Sequence, residues 1–387
     1  MSPNNAITAI DALLASEFPV TQRLNYLNHA AVAPWPKRTA EAVHAFADEC
    51  VNEGSSHFAE WLELENGLRQ RLAAFIGASS TNDIAFLKNT SEGLSVVAHG
   101  FPWRPGDNVV ISDEEFPSNR IVWESLHSLG VEVRQVSLRG GDSPEDALLS
   151  AFDSRTRVLA ISAVQYASGL RMDLERLGSE CNQRDVAFCV DAIQAVGAVQ
   201  LDVQAMYIDF LAADAHKWLL GPEGIAVFYC SDTWRDRLAL HQYGWHMIEH
   251  HFDFDTKDWE PAASARRFEC GSNNMLGIQA LSASLSLLEE IGMGEVERRI
   301  TANVETLVKE IGRHTALELI TDPSPARLAG IVTFSSNLVP AEKLHKTLTD
   351  NKIVCAMRGG GVRFSPHCYI SPESLVTAVE TAASIAN

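Results

Sequence analysis

Between about residues 80 and 230 the chain alternates short apolar runs with longer stretches in which apolar residues recur at helical spacing. Ile84–Leu87, Asn108–Ile111, Glu132–Val136, Val158–Ser162, Val186–Val190, Phe210–Ala213 and Ile225–Tyr229 read as strands. Segments such as Asn119–Leu129 and Leu174–Gln183 are long enough for crossover helices. The alternation predicts an α/β domain whose mainly parallel seven-stranded sheet is covered on both faces. It stops at Tyr243–Arg267, a segment of aromatics, histidines and acids expected to form a connection or lid. Beyond it, Ser272–Ile291 and Met293–His314 read as long helices, the first with apolar residues at Leu276, Ile278, Leu281, Leu285 and Leu288. Ile331–Ser335, Ile353–Ala356 and Val362–Phe364 supply strands and Pro372–Ile385 a closing helix, which suits a smaller α+β domain. The expected division is an N-terminal arm over residues 1–20, a large domain over 21–258 and a small C-terminal domain over 259–387.

Composition narrows what such a fold can serve. With 46 % hydrophobic and 21 % charged residues the 387-residue chain reads as a globular enzyme. Its 31 basic against 50 acidic residues give a net charge of −19, which repels phosphate backbones and anionic membranes. Neither a nucleic acid nor a membrane is an expected partner, and an anionic cofactor would need a local site. No apolar run approaches the about 20 residues that span a bilayer. The stretch before Arg23 has no basic residue and no signal-like apolar core, and the seven cysteines include no CxxC pair. Reduced thiols and a cytoplasmic location are expected.

Candidate chemistry centres on Lys217, presented in a small-residue turn after the apolar run Ile208–Ala213, and on Asp191, which ends the run Val186–Val190. A lysine at a tight turn with a carboxylate at a nearby strand end is the arrangement pyridoxal phosphate requires: the amine binds the aldehyde and the acid pairs with the pyridine nitrogen. The plain alternatives are a surface lysine and a helix-capping aspartate. Gln194 either reaches the phenolic oxygen of the ring or is an ordinary polar helix residue. Asn89–Gly93, ahead of the helical stretch Leu94–His99, offers hydroxyls and free amides to a phosphate, or only caps a helix. Arg363, on a strand after Gly359–Gly361, can fork a substrate carboxylate or form a surface ion pair. His246 and His250 have the spacing of two imidazoles on one helix face, but no HExxH pattern accompanies them, and no metal is expected.

Taken together these residues resemble the class V aminotransferase and cysteine desulfurase family of fold-type-I pyridoxal phosphate enzymes, from Tyr26–Ala31 to Ser365–His367. The C-terminal motif Arg363–Ser371 is similar to isopenicillin-epimerase-like and C–S-lyase-like members. The resemblance implies pyridoxal 5′-phosphate as cofactor and a large domain followed by a smaller one. It implies Thr90, Ser91 and His216 at the phosphate, Phe116 over the ring, Asp191 and Gln194 at the ring edge, and Lys217 as the covalent attachment. Phe268–Ser272 looks like the segment through which Ser272 reaches the cofactor of a partner subunit, which implies a homodimer. Arg363, His29, Tyr166 and Trp245 fall on the substrate side.

Three positions depart from the family pattern. Phe116 stands where cysteine desulfurases have His, and Tyr166 where many relatives have Asn. Asp214 replaces a phosphate-binding Ser, and a carboxylate there repels a phosphate unless it turns away. Cys368 has the spacing from Arg363 of a sulfur-accepting cysteine and is read either as that catalytic nucleophile or as a buried, inert residue. The implied reaction begins with removal of a Cα proton from a small amino acid by Lys217. The leading reading is β-elimination or desulfuration of the C–S lyase kind, ahead of amino transfer and then epimerisation. A pyridoxal-phosphate-binding regulatory protein is the non-enzymatic alternative.

Overall fold

The expected apolar runs pair into one sheet in the computed structural model, which describes residues 9–141, 143–255 and 257–385. After a two-residue strand β1 (Asn25–Tyr26) come β2 (Ile84–Leu87), β3 (Asn108–Ser112), β4 (Glu132–Val136), β5 (Thr156–Ser162), β6 (Ala187–Asp191), β7 (Phe210–Asp214) and β8 (Ala226–Cys230). Across the sheet the order is β2-β8-β7-β6-β5-β3-β4, and every pairing is parallel except those of β8 with β2 and β7. All residues of β2, β3, β6, β7 and β8 are buried, because helices cover both faces; hence these strands read as unbroken apolar runs. Edge strand β4, with exposed positions, carries Glu132 and Gln135.

The connecting helices begin on side-chain caps. Asn89 accepts from Glu92 N–H at the start of Thr90–Gly100, while the Glu92 carboxylate accepts from Lys88 N–H at 2.7 Å. The helix expected over Asn119–Leu129 is an α-helix only over Ser118–Glu124; a 3₁₀ turn finishes it, and Gly130 at φ +76° stops it.

A second, antiparallel sheet contains β9 (Leu317–Leu319), β10 (Val332–Ser336), β12 (Ala356–Arg358) and β13 (Gly361–Phe364) in the order β12-β13-β10-β9. The run expected as one strand, Ile353–Ala356, divides at Cys355. Its first half, β11 (Ile353–Val354), pairs in parallel with β1, and its second half joins β13. Helix Met275–Ile291 lies on helices Lys37–Asn52 and Phe58–Phe75, and its Ile278, Leu281, Leu285 and Leu288 enter the core of the large sheet. Leu276, read as part of that stripe, faces outward. The change of core comes within helix Met293–Ile311: Val296 and Ile300 serve the large sheet, while Val304, Leu307 and Ile311 serve the small one. Of the expected N-terminal arm, residues 1–8 lie outside the described residues and Ala9–Glu17 is a helix.

The two sheets are joined near the ends of their strands by residues 27–33. Ser365 N–H donates to Leu27 O, His29 N–H to Ser365 O, and Ala30 N–H to the Ser365 hydroxyl. On the other side Gln194 Nε2 donates to Ala30 O at 3.0 Å and Ala33 N–H to His216 O at 2.8 Å.

Among the described residues no helix is long and apolar enough to cross a membrane. The expected helix face carrying His246 and His250 does not form; residues 246–252 make turns, held by Arg266, which donates to the carbonyls of His246, Ile248 and Glu249. His246 packs 3.5 Å from Glu269, near Glu65, but Arg69 already neutralises both carboxylates, at 2.8 Å from Glu65 and 2.6 Å from Glu269.

Candidate active site

The carboxyl ends of the strands meet around one cavity of about 370 Å³. Asp191 ends β6 opposite Ala212 of β7, so it neighbours the turn that follows β7 and carries Lys217. Asp191 is 2 % exposed and its Oδ1 accepts from Ile193 N–H at 3.1 Å. Burial raises its carboxyl pKa above the ordinary value, and the Lys217 charge only partly offsets this. Lys217, 8 % exposed, is shifted the other way: burial lowers its amine, against the pull of Asp191. Among the described residues neither its Nζ nor the Asp191 carboxylate sits in an ion pair. An acid and an amine are thus buried together at the cost of solvation.

The turn is fixed from behind. Trp218 Nε1 donates to Gln194 Oε1 at 2.9 Å, and His367 Nε2 donates to Trp218 O at 3.2 Å. Gly330 leaves room for the Trp218 ring; a Cβ there would lie 2.1 Å from it. Leu220, at φ +61°, holds a left-handed conformation rare for its residue type. Its N–H donates to Lys217 O, which closes the turn.

At the start of helix Thr90–Gly100 the cavity presents Thr90, Ser91, Ser118 and His216. The Ser91 hydroxyl donates to Ser118 at 2.8 Å, and His216 Nδ1 is buried without a hydrogen-bond partner, 3.4 Å from Asp214. Asp214 does not turn out of this cup. Its Oδ2 accepts from Thr90 N–H at 3.1 Å and its own N–H donates to Thr90 Oγ1 at 3.0 Å. One helix-terminal donor is therefore held by a carboxylate, while the hydroxyl protons of Thr90 and Ser118 and the His216 ring stay available.

The Phe116 ring centroid lies 5.7 Å from Lys217 Nζ, and Tyr166 meets that ring edge-on at 5.1 Å. Arg363 is 2 % exposed; its Nη1 donates to Tyr166 O at 2.6 Å, and its Nε is buried with no partner. Burial and the neighbouring Arg358 lower its pKa to about 10. The unpaired Nε leaves the side-on edge of the guanidinium, the edge that grips a carboxylate, without a protein acceptor.

Of the sequence-predicted residues, Thr90, Ser91, Phe116, Tyr166, Asp191, Gln194, His216, Lys217 and Arg363 line this cavity. Four others do not. His29 is sealed behind it: Nδ1 donates to Ser365 O at 2.8 Å and Nε2 accepts from Tyr369 at 2.6 Å, so its neighbours Ala30 and Ala31 face the cavity instead. Trp245 packs among His251, Phe252 and Phe254 of the lid. Ser272 is exposed beside a different cavity, with Gly224 and Gln242. Cys368 is 3 % exposed in the apolar core, its Sγ 3.2 Å from His367 Nδ1, and burial pushes its thiol up to about 12. The thiol is thus enclosed in the core and does not line the Lys217 cavity. Two contributors escaped the sequence reading. Arg358 lines the cavity, and its position two residues before Gly360 in a hairpin was the available signal. Glu115, buried without a cation, accepts from Ser112, Asn119, Ser162 and Gln165 and anchors the loop of Phe116; nothing in its local sequence marks it.

A buried acid without a cation, a neighbouring amine, an aromatic ring between them and solvent, and unspent donors at a helix start fit pyridoxal 5′-phosphate; Asp214 is the one misfit. Comparison with known proteins gives the same family. A model of the family "Aminotransferase class-V" matches residues 25–372. A probable cysteine desulfurase of Methanothermobacter thermautotrophicus is 29 % identical, with 96 % of each chain covered. The structure of an apo cysteine desulfurase from Thermococcus onnurineus NA1 superposes with a TM-score of 0.86 at 25 % identity, over 96 % of this chain and 97 % of that one. A cystine C–S lyase in complex with its product cysteine persulfide gives 0.88 at 21 % identity, over 95 % and 99 %, a likeness of fold.

Proposed function

The chain belongs to the class-V aminotransferase family, and from that premise we propose that it is a pyridoxal-phosphate-dependent lyase that removes a sulfur substituent from Cβ of a small amino acid. The observation that carries the reading is the convergence of Lys217, Asp191 and the free edge of Arg363 on one cavity. Bound pyridoxal 5′-phosphate supplies the electron sink that stabilises negative charge at the substrate Cα. Thr90, Ser91 and His216 hold the phosphate, Asp191 keeps the pyridine nitrogen protonated, and Phe116 covers the ring. Arg363 fixes the α-carboxylate, which sets the Cα–H bond towards Lys217. Lys217 Nζ, its pKa lowered by burial, takes that proton once in its free-base form. The electron pair of the broken Cα–H bond forms the second bond between Cα and Cβ, and sulfur departs with the Cβ–S pair. Phe116 has no proton to give, which favours sulfur leaving groups that are stable as anions.

Elimination without a persulfide on Cys368 is preferred because that thiol lies in the core. Cys368→Ala should keep sulfide release within about twofold while lowering stability by about 1 kcal/mol from the lost packing; a fall in release with unchanged stability would restore the nucleophile. We further propose a cytoplasmic homodimer, with exposed Ser272 at the partner's phosphate. The test of the reading is a panel of L-cysteine, L-cystine and L-alanine with the cofactor-loaded protein, analysed for sulfur product, pyruvate and ammonia. Equimolar pyruvate and ammonia from a sulfur amino acid are expected; keto acid without ammonia would replace elimination by amino transfer.

Asp214 gives a separate expectation. Asp214→Ser frees the Thr90 amide and removes a negative charge from the phosphate cup, so it should tighten cofactor binding about tenfold. Weaker binding, followed by absorbance during dialysis, would mean the carboxylate supports the cup.

A further inference from the structure

Gln194 and Trp218 form a hydrogen-bonded pair whose sense is dictated by their neighbours. Trp218 Nε1 donates to Gln194 Oε1 at 2.9 Å, and Gln194 Nε2 donates to Ala30 O at 3.0 Å. An indole N–H can only donate and a main-chain carbonyl can only accept, so the amide has one allowed orientation. Reversed, it would set donor against donor at Trp218 and oxygen against oxygen at Ala30. Gln194 is 2 % and Trp218 0 % exposed, so water would not relieve either conflict. The indole cannot turn away. Its ring stacks on His367 at 5.6 Å, and its main-chain carbonyl accepts from His367 Nε2. Ala30 is held in turn by the Ser365 hydroxyl at 3.0 Å. The bonds thus close a circuit through residues 30, 194, 218 and 365–367. Two bonds do not exhaust the amide, which carries two N–H groups and two lone pairs. Among the described residues only one of each is taken. Gln194 lines the Lys217 cavity, so one N–H remains for what binds there.

We propose that Trp218 is a positioning residue: by holding Gln194 Oε1, it commits the remaining amide N–H to the phenolic oxygen of bound pyridoxal 5′-phosphate. The inference rests on the cofactor reading above and names the residue that sets the direction of that hydrogen bond. Without the indole donor the amide is free to reverse and to turn a lone pair on the same oxygen. A donor on the phenolic oxygen weakens its hold on the proton of the adjoining nitrogen, the one joined to Lys217. That proton then leaves at lower pH.

The pH at which the visible band of the cofactor-loaded protein is half changed reads this directly. Trp218→Phe keeps an apolar ring and removes the donor, and the midpoint should rise by about one unit. Gln194→Leu should raise it similarly, and the double variant no further than either single one, because Trp218 acts through the amide. Trp218→Phe should also melt at a lower temperature from lost packing, so the midpoint and not stability is the deciding readout. An unmoved midpoint in Trp218→Phe, or shifts that add in the double variant, would overturn the role of Trp218 and leave the lyase reading intact. Should Trp218→Phe not fold, Gln194→Leu carries the test: a raised midpoint sustains the proposal and an unmoved one overturns it. A parent protein that takes up no cofactor would overturn both.

Discussion

Lys217→Ala should abolish the visible absorbance of the cofactor-loaded protein as isolated and lower turnover by about 10²–10⁴-fold or more. Two losses combine. Among the described residues the amine is the only one lining the cavity, so in the proposed reaction covalent retention of the cofactor goes with it, and so does the group that takes the Cα proton. Its pKa, lowered by burial, makes the base available near neutrality, where an exposed lysine would be almost wholly protonated. The turn should survive the change, because it is held by Trp218, Leu220 and His367 and not by the lysine side chain. Unchanged thermal stability with lost turnover is therefore the expected pair of results. Arg at this position should behave like Ala, being unable to deprotonate. Residual turnover within tenfold of the parent would remove Lys217 from the reaction.

Asp191→Asn should separate activity from stability. With the cofactor bound, the carboxylate balances a protonated pyridine nitrogen, and the amide does not; turnover should fall roughly 10²–10⁴-fold. Without the cofactor the carboxylate is buried with no ion pair, and its pKa is raised from 3.8 chiefly by burial. A raised carboxyl binds its proton more firmly in the folded than in the unfolded chain. Stability is therefore full below the ordinary value and declines as pH climbs from there through the raised one. Asn accepts from Ile193 N–H equally well and carries no charge, so the cofactor-free variant should melt a few degrees higher, roughly, and lose that pH slope. A lower melting temperature at pH 7 would show that the charge is compensated in the empty site. The variant thus gains stability and loses function, the exchange typical of active sites.

The seven-stranded sheet was legible because its strands are buried on both faces and interrupted by capped helices, a pattern that local chemistry alone produces. Lys217, Asp191 and Arg363 were legible because a charge inside an apolar run needs a reason. What escaped was relational. His29 reads as an available imidazole, yet Ser365 and Tyr369, over 330 residues away, consume both of its nitrogens. Cys368 reads as well spaced from Arg363, but it lies beyond the end of β13 and packs into the apolar core instead of the cavity. Arg358 needed the hairpin register, and Glu115 needed four donors from three separate segments. The helical spacing of His246 and His250 failed because Arg266 collects carbonyls that a helix would have kept.

The segment that joins the sheets also dates the appearance of the site during synthesis. Residues 27–33 leave the ribosome before the large sheet, but their partner Ser365 lies 336 positions after His29. Until that strand emerges, Arg363 is missing and residues 27–33 have nothing to bridge to. The large sheet, built from residues 84–230, can form in the meantime. A nascent chain can therefore build its seven-stranded sheet and still be catalytically silent, because Arg363 and the seal at Ser365 and His367 are made only when the later strand arrives.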